Sequence, residues 1–190
     1  MSKKTKTIGD YLNGEKKEKE VIWLWKEDGL HTDWYDNGQK KSEVTHKDGK
    51  PEGLGICWHE NGQKKSEINF KNGQAEGLMT CWLKNGQKEW EVTYKDREKD
   101  GLEIRWWKNG HKWTEIFYKN GVMDGLVTFY HENGQKHVEG TYKDGDFDGF
   151  LIGWYENGQK EKEGNLEDRK QVGKWTFYNE DGTIKEVKEF

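Results

Sequence analysis

Apolar and polar side chains alternate along short stretches of this chain. In Gly53–Trp58 the apolar positions are Leu54, Ile56 and Trp58, and the same spacing recurs at Leu102, Ile104 and Trp106. A period of two predicts a strand with one face toward a core. A polar Asn-Gly-Gln-Lys run follows, then a second alternating stretch such as Ser66-Glu67-Ile68-Asn69-Phe70 or Thr114-Glu115-Ile116-Phe117-Tyr118. Asn-Gly between two such stretches offers two residues tolerant of positive φ, which predicts a hairpin turn. A Lys-Asp-Gly or Lys-Asn-Gly run then leads to the next glycine.

The pattern has a fixed period. Asn or Asp followed by Gly begins at Asn13, Asn37, Asn61, Asn85, Asn109, Asn133, Asn157 and Asp181, always 24 residues apart. Gly29, Gly53, Gly77, Gly101, Gly125, Gly149 and Gly173 keep the same interval. A fixed period of this length marks stacked supersecondary units that contact only their neighbours. The expected fold is therefore all-β, an elongated single-layer antiparallel sheet of tandem β-hairpins. Residues 1–190 form a single repeat array in this reading. An atypical N-terminal capping repeat covers 1–28, six regular repeats cover 29–172, and a C-terminal capping repeat covers 173–190.

Stacking turns each repeat position into a column. Trp34, Trp58, Trp82, Trp106, Tyr130, Trp154 and Tyr178 make an aromatic ladder, expected to face inward beside Leu30, Leu54, Leu78, Leu102, Leu126 and Phe150. Between them Thr32, Ile56, Thr80, Ile104, Thr128, Ile152 and Thr176 alternate, as volume matching between repeats or as a relic of two-repeat duplication. Val44, Ile68, Val92 and Ile116, with Phe70, Tyr94, Tyr118 and Tyr142, are expected to join the ladder face from the second strand. Glu43, Glu67, Glu91, Glu115, Glu139 and Glu163 are expected on the other face.

The repeated unit, Gly-Leu-x-x-x-Trp-Tyr-Glu-Asn-Gly-Gln-Lys-Lys-x-Glu-x-x-Tyr-Lys-Asp-Gly, resembles the bacterial variant of the MORN repeat over essentially the whole chain. The resemblance implies an elongated hairpin sheet used as a protein-binding or dimerisation scaffold. Eukaryotic arrays of the family are also linked to phosphoinositides. Bacterial variant arrays include antitoxins and immunity proteins that neutralise a co-encoded toxin. Here Asn-Gly-Gln-Lys stands where eukaryotic repeats carry Tyr-x-Gly, and there is no basic stripe, which argues against lipid binding.

Composition refines this picture. Charged residues make up 36% and hydrophobic ones 31%, a balance typical of disorder, but 11 Trp, 8 Tyr and 7 Phe among 190 residues argue for a packed β structure. The net charge of −4 arises from interspersed signs, which predicts no nucleic-acid surface. No apolar run approaches the roughly 20 residues of a membrane span. The first residues lack an apolar secretory core, and Cys57 and Cys81 fit a reducing compartment, so the expected location is cytoplasmic. Those two cysteines share a column one repeat apart, about 10 Å, beyond disulfide reach. The six histidines have no paired ligand spacing, and the glutamate column repeats one environment rather than splitting two pKa values. No metal, cofactor or catalytic residue is expected.

Specificity should lie where the repeats differ. Met79, Leu83, Trp90, Arg105, Trp107, Trp113 and Phe129 depart from their columns in the middle repeats, and His59 and His131 do so in a turn-side column. Trp, Arg and Met are enriched at binding hot spots, while a single-layer sheet could equally use such residues as a second small core. The expected function is non-enzymatic protein binding, with a toxin as the partner of an antitoxin or immunity protein. The alternatives are a self-assembling scaffold, and carbohydrate or lipid binding through aromatic platforms.

Overall fold

The computed structural model describes residues 27–190, so the capping repeat expected over 1–28 lies outside the described residues except for Glu27 and Asp28. The described chain is one open antiparallel sheet of 14 strands in sequence order. The strands are β1 (Gly29–Trp34), β2 (Lys40–Lys47), β3 (Lys50–Trp58), β4 (Lys64–Lys71), β5 (Gln74–Trp82), β6 (Lys88–Lys95) and β7 (Glu98–Trp106). They continue as β8 (Lys112–Lys119), β9 (Val122–Tyr130), β10 (Lys136–Lys143), β11 (Asp146–Trp154), β12 (Lys160–Glu167), β13 (Lys170–Tyr178) and β14 (Ile184–Glu189).

Two kinds of turn connect the strands. At the Asn-Gly turns only the glycine takes positive φ, +81° at Gly38 and +82° at Gly62. The carbonyl of Tyr35 accepts from Gly38 N–H at 2.9 Å, and Tyr35 N–H donates to the carbonyl of Gln39 at 2.8 Å. That is a three-residue loop closed by a glycine bulge rather than a two-residue turn. The two-residue turn with both residues at positive φ falls instead at Lys-Asp-Gly, with Asp48 at +51° and Gly49 at +68°. Arg97 (φ +74°) and Arg169 (φ +64°) replace the glycine in two of these turns, a conformation costing a bulky residue about 1–3 kcal/mol. Each reaches back one repeat, Arg169 to the carboxylate of Asp146 and Arg97 to the Gln74 amide oxygen at 2.7 Å.

The face assignment differs from the sequence expectation. Between Asp33 and Trp34 the register of β1 on β2 shifts, pairing Trp34 with Lys40 but Asp33 with Ser42. Lys41 is therefore extra, and one extra residue reverses which way the whole second strand points. His31 thus lies opposite Val44, while Thr32 lies opposite Glu43. The Val44 column shares the face of the irregular positions, and the glutamates share the face of the aromatic ladder.

Burial follows the register. Val44, Val92 and Val127 are 0% exposed, and Ile68, Ile116, Leu151 and Trp175 are buried with them. Where this row carries glycine, a neighbouring ring lies over it. Trp175 covers Gly164, Phe147 covers Gly140 and Phe70 covers Gly55. The ladder expected to face inward is half-exposed, with Trp34 57% exposed, and Leu30, Leu54, Leu78, Leu126 and Phe150 are exposed beside it. The ladder is stabilised by charge instead of burial. Lys40, Lys64, Lys88 and Lys136 each lie over the ring of the next repeat (Trp58, Trp82, Trp106, Trp154) and pair with the glutamate three residues on. Each glutamate also has a Thr on one side and an Ile on the other, as Glu43 does with Thr32 and Ile56. The Thr/Ile columns therefore do not touch one another, and the alternation gives every carboxylate one hydroxyl neighbour.

Paired substitutions on one hairpin test this assignment. Val92→Ala should cost about 2 kcal/mol in urea unfolding, as for loss of buried methyl groups. Leu78→Ala, exposed on the other face, should stay within about 0.5 kcal/mol of wild type.

Candidate partner-binding surface

The buried row is interrupted once by charge. It is apolar through Ile68, Met79 and Val92, carries Glu103, and resumes with Ile116 and Val127. Two apolar clusters result, one around Ile68, Val92 and Tyr94 and one around Ile116, Tyr118 and Val127. Glu103 is 1% exposed and accepts from Lys99 Nζ at 2.5 Å and Arg105 Nε at 2.8 Å. A carboxylate this deep is tolerable because both oxygens are met by cations. Lys99 also lies 4.7 Å from the Tyr118 ring centre. Burial first, and then the Glu103 charge, push the Tyr118 hydroxyl up to about 12, so it remains a neutral phenol at physiological pH.

Arg105 belongs to a second cross-strand row on the same face, running Trp90, Arg105, Thr114, Phe129. The guanidinium is held at one end by Glu103 and is about half exposed. Trp90 and Phe129 pack from either side against the two apolar clusters. Between Arg105 and Phe129, Thr114 is buried and its Oγ1 has no hydrogen-bond partner. Buried polar atoms are rarely left so. Ser42, at the equivalent position three repeats earlier, is buried too but donates to Asp33 Oδ2 at 3.1 Å.

The other expected contact residues fall elsewhere. Met79 lies opposite Val92 and packs on the first cluster. Trp107 and Trp113 pack with ring centres 5.2 Å apart and planes tilted by 40° at the Asn-Gly end of the sheet, and Trp113 is 40% exposed. Leu83, His59 and His131 occupy the Trp107 column and are half-buried. That column has a structural job which its residue types conceal. His59 Nε2 lies 2.8 Å from the carbonyl of Trp82, and His131 Nε2 lies 2.8 Å from that of Trp154. Tyr35 and Tyr155 donate hydroxyls to the carbonyls of Trp58 and Tyr178, and Trp107 donates its indole N–H to Tyr130. Every one of these bonds spans 23 residues, one hairpin to the next. Tyr, His and Trp look unrelated in sequence, yet each puts a donor at the same place. Leu83 has no donor to offer.

Sequence reasoning missed Lys99, Glu103 and Thr114. Glu103 carried a signal, because its column otherwise reads His, Gly, Met, Val, Leu and Trp. Cys57 and Cys81 flank Ser66 across two strand pairings. Among the described residues no group of three or more His, Cys, Asp or Glu could hold a metal ion, and no helix is long and apolar enough to cross a membrane.

The profile of the family described as MORN repeat variant matches residues 27–48, 51–72, 99–120, 123–144 and 171–190. No curated protein matches the chain. Arrays of this kind are repeat proteins that often bind or scaffold other proteins, and they are generally non-enzymatic.

The ion triad gives a test with opposite signs. Lys99→Met should destabilise by about 2 kcal/mol by removing one charge-assisted bond from a buried carboxylate. Adding Glu103→Met should restore wild-type stability or exceed it, because apolar replacement of a buried ionic group is often neutral or stabilising. Chemical unfolding midpoints of the two variants decide it.

Proposed function

The chain belongs to the MORN repeat variant family, and we propose that it is a non-enzymatic protein-binding array whose contact surface is centred on Arg105. The observation that supports this reading is the Trp90–Arg105–Thr114–Phe129 row. It combines a half-exposed guanidinium held by Glu103, two flanking aromatics and a buried unpaired hydroxyl, all on the face that carries the irregular columns. A guanidinium pre-oriented by a buried carboxylate loses little freedom when it meets a partner, and aromatic and Arg anchors carry much of the energy of protein interfaces. The two packed indoles at Trp107 and Trp113 extend the surface toward the Asn-Gly turns.

Binding would act by occlusion, with an extended sheet covering part of a partner's surface. In the narrower form of this reading the partner is a toxin and the array is its antitoxin or immunity protein, which rests on the family resemblance alone. A second reading, self-association, is favoured by the exposed row of Leu30, Leu54, Leu78, Leu126 and Phe150 on the opposite face. An apolar stripe of that extent on one face is a feature of association surfaces.

Affinity capture from the native source, followed by binding measurements with the captured protein, separates these readings. Arg105→Gln and Trp113→Ala should each weaken the interaction about tenfold or more, while Leu78→Ser leaves it unchanged. Wild-type affinity in both patch variants would contradict the assignment. Loss of self-association in Leu78→Ser, read by sedimentation, would support the second reading.

A further inference from the structure

At the Asn-Gly end of the sheet, residues of the fifth, sixth and seventh described hairpins line a groove of about 390 Å³ that is open to solvent. His131 and His137 form one wall, with ring centres 4.3 Å apart and planes inclined at 36°. Tyr155, Glu156 and Glu161 of the next hairpin and Glu180 of the one after it line the rest. His131 must donate through Nε2 to the carbonyl of Trp154, since a carbonyl only accepts. In its neutral form that leaves Nδ1 as an acceptor.

The other hairpins indicate what such a groove holds. In three hairpins the residue in the Tyr35 column packs with the residue six positions later. Lys41 Nζ sits 5.6 Å over the Tyr35 ring, Trp113 packs on Trp107, and His137 packs on His131. At the same two positions the sixth hairpin carries Tyr155 and Glu161, so the charge is reversed. In the first hairpin the chain supplies its own cation over the ring. In the sixth the equivalent position carries Glu161, and Glu156 and Glu180 line the groove with it. Lys162, 3.5 Å from Glu161, answers one of the three.

We propose that this groove is a subsite for an arginine side chain of a basic partner protein. A guanidinium fits its chemistry better than an ammonium. The flat cation can stack on imidazole and phenol rings while its N–H groups meet carboxylates and an imidazole acceptor in one plane. The subsite rests on the reading of the array as a protein binder, but it lies at a different place from the Arg105 surface.

His137 makes the subsite sensitive to pH. Burial first, then His131, lower the His137 pKa below its ordinary value of 6.5, with Lys162 acting in the same direction and Glu161 and Glu156 opposing. At pH 7.5 His137 is therefore neutral. Acidification adds positive charge to a site that takes a cation, so affinity for a guanidinium falls as pH falls.

The test is a titration of the full chain with N-acetyl-L-arginine amide, followed through the His131 and His137 ring protons and the Tyr155 ring by NMR. Saturable shifts are expected with Kd on the order of 1 mM, weaker ones with N-acetyl-L-lysine amide, and none with the neutral N-acetyl-L-citrulline amide. Glu156→Gln combined with Glu180→Gln should weaken arginine binding several-fold with unchanged far-UV circular dichroism. Lowering the pH from 7.5 to 5.5 should weaken it too, and His137→Gln should flatten that dependence. Equal shifts with citrulline, no saturation with arginine, or unchanged affinity in the double Gln variant would overturn the subsite. Equal affinity for the lysine derivative would overturn its assignment to a guanidinium. No partner is needed, so failure here is distinguishable from failure of the protein-binding reading. A partner held through Arg105 would still be found by capture.

Discussion

The sheet depends on a hydrogen bond that reaches sideways from each Asn-Gly turn to the next. Asn37 Nδ2 donates to the Glu60 carbonyl at 2.9 Å, Asn61 to Lys84 at 2.6 Å, Asn109 to Glu132 and Asn133 to Glu156 at 2.7 Å, and Asn157 to Glu180 at 2.8 Å. The same Asn accepts through Oδ1 from the N–H two residues on, as in Asn61 with Gln63. One amide thus shapes its own turn and fixes the turn beside it. The ring donors of Tyr35, His59, Trp107, His131 and Tyr155 make a second set of one-repeat bonds close by. A single-layer sheet has no second layer to hold its hairpins in step, and these lateral bonds supply that restraint where the strand ladder ends. Asn85 is the exception, donating within its own turn to Gln87.

The regular columns were legible in the sequence because a fixed interval aligns them without a structure. Strand alternation and the two turn positions followed from the same period. The face assignment did not, and the reason is local. Alternation identifies two faces on each strand, but it does not relate one strand's faces to those of the next. That relation depends on a single extra residue at Lys41 and its equivalents, which no hydrophobicity pattern marks. Both faces also carry apolar side chains, Leu and Trp on one and Val, Ile and Tyr on the other, so neither announces itself as the core.

The candidate site was legible only in part. Trp90, Arg105 and Phe129 were picked out as irregular, and the structure sets them in one row. His59, Trp107 and His131 were picked out for the same reason, yet each makes a lateral bond to the next hairpin. A column can vary in residue type while keeping one donor geometry, and a list of letters hides that constancy. Glu103 shows the converse. It breaks an otherwise uncharged column, divides the core into two clusters, and holds Arg105 in place, so a buried carboxylate lies directly beside the surface assigned to partner binding.

The lateral Asn bond is tested most directly by urea unfolding of Asn61→Asp. A carboxylate at 61 can still accept from Gln63 N–H but cannot donate to Lys84. The last hairpin already has Asp at this position. Asp181 accepts within its own turn from Thr183 N–H at 2.9 Å, and among the described residues no hairpin follows it in the sheet. If the lateral bond holds the array in step, Asn61→Asp lowers stability by about 1 kcal/mol or more. An unfolding midpoint equal to or above wild type would contradict it.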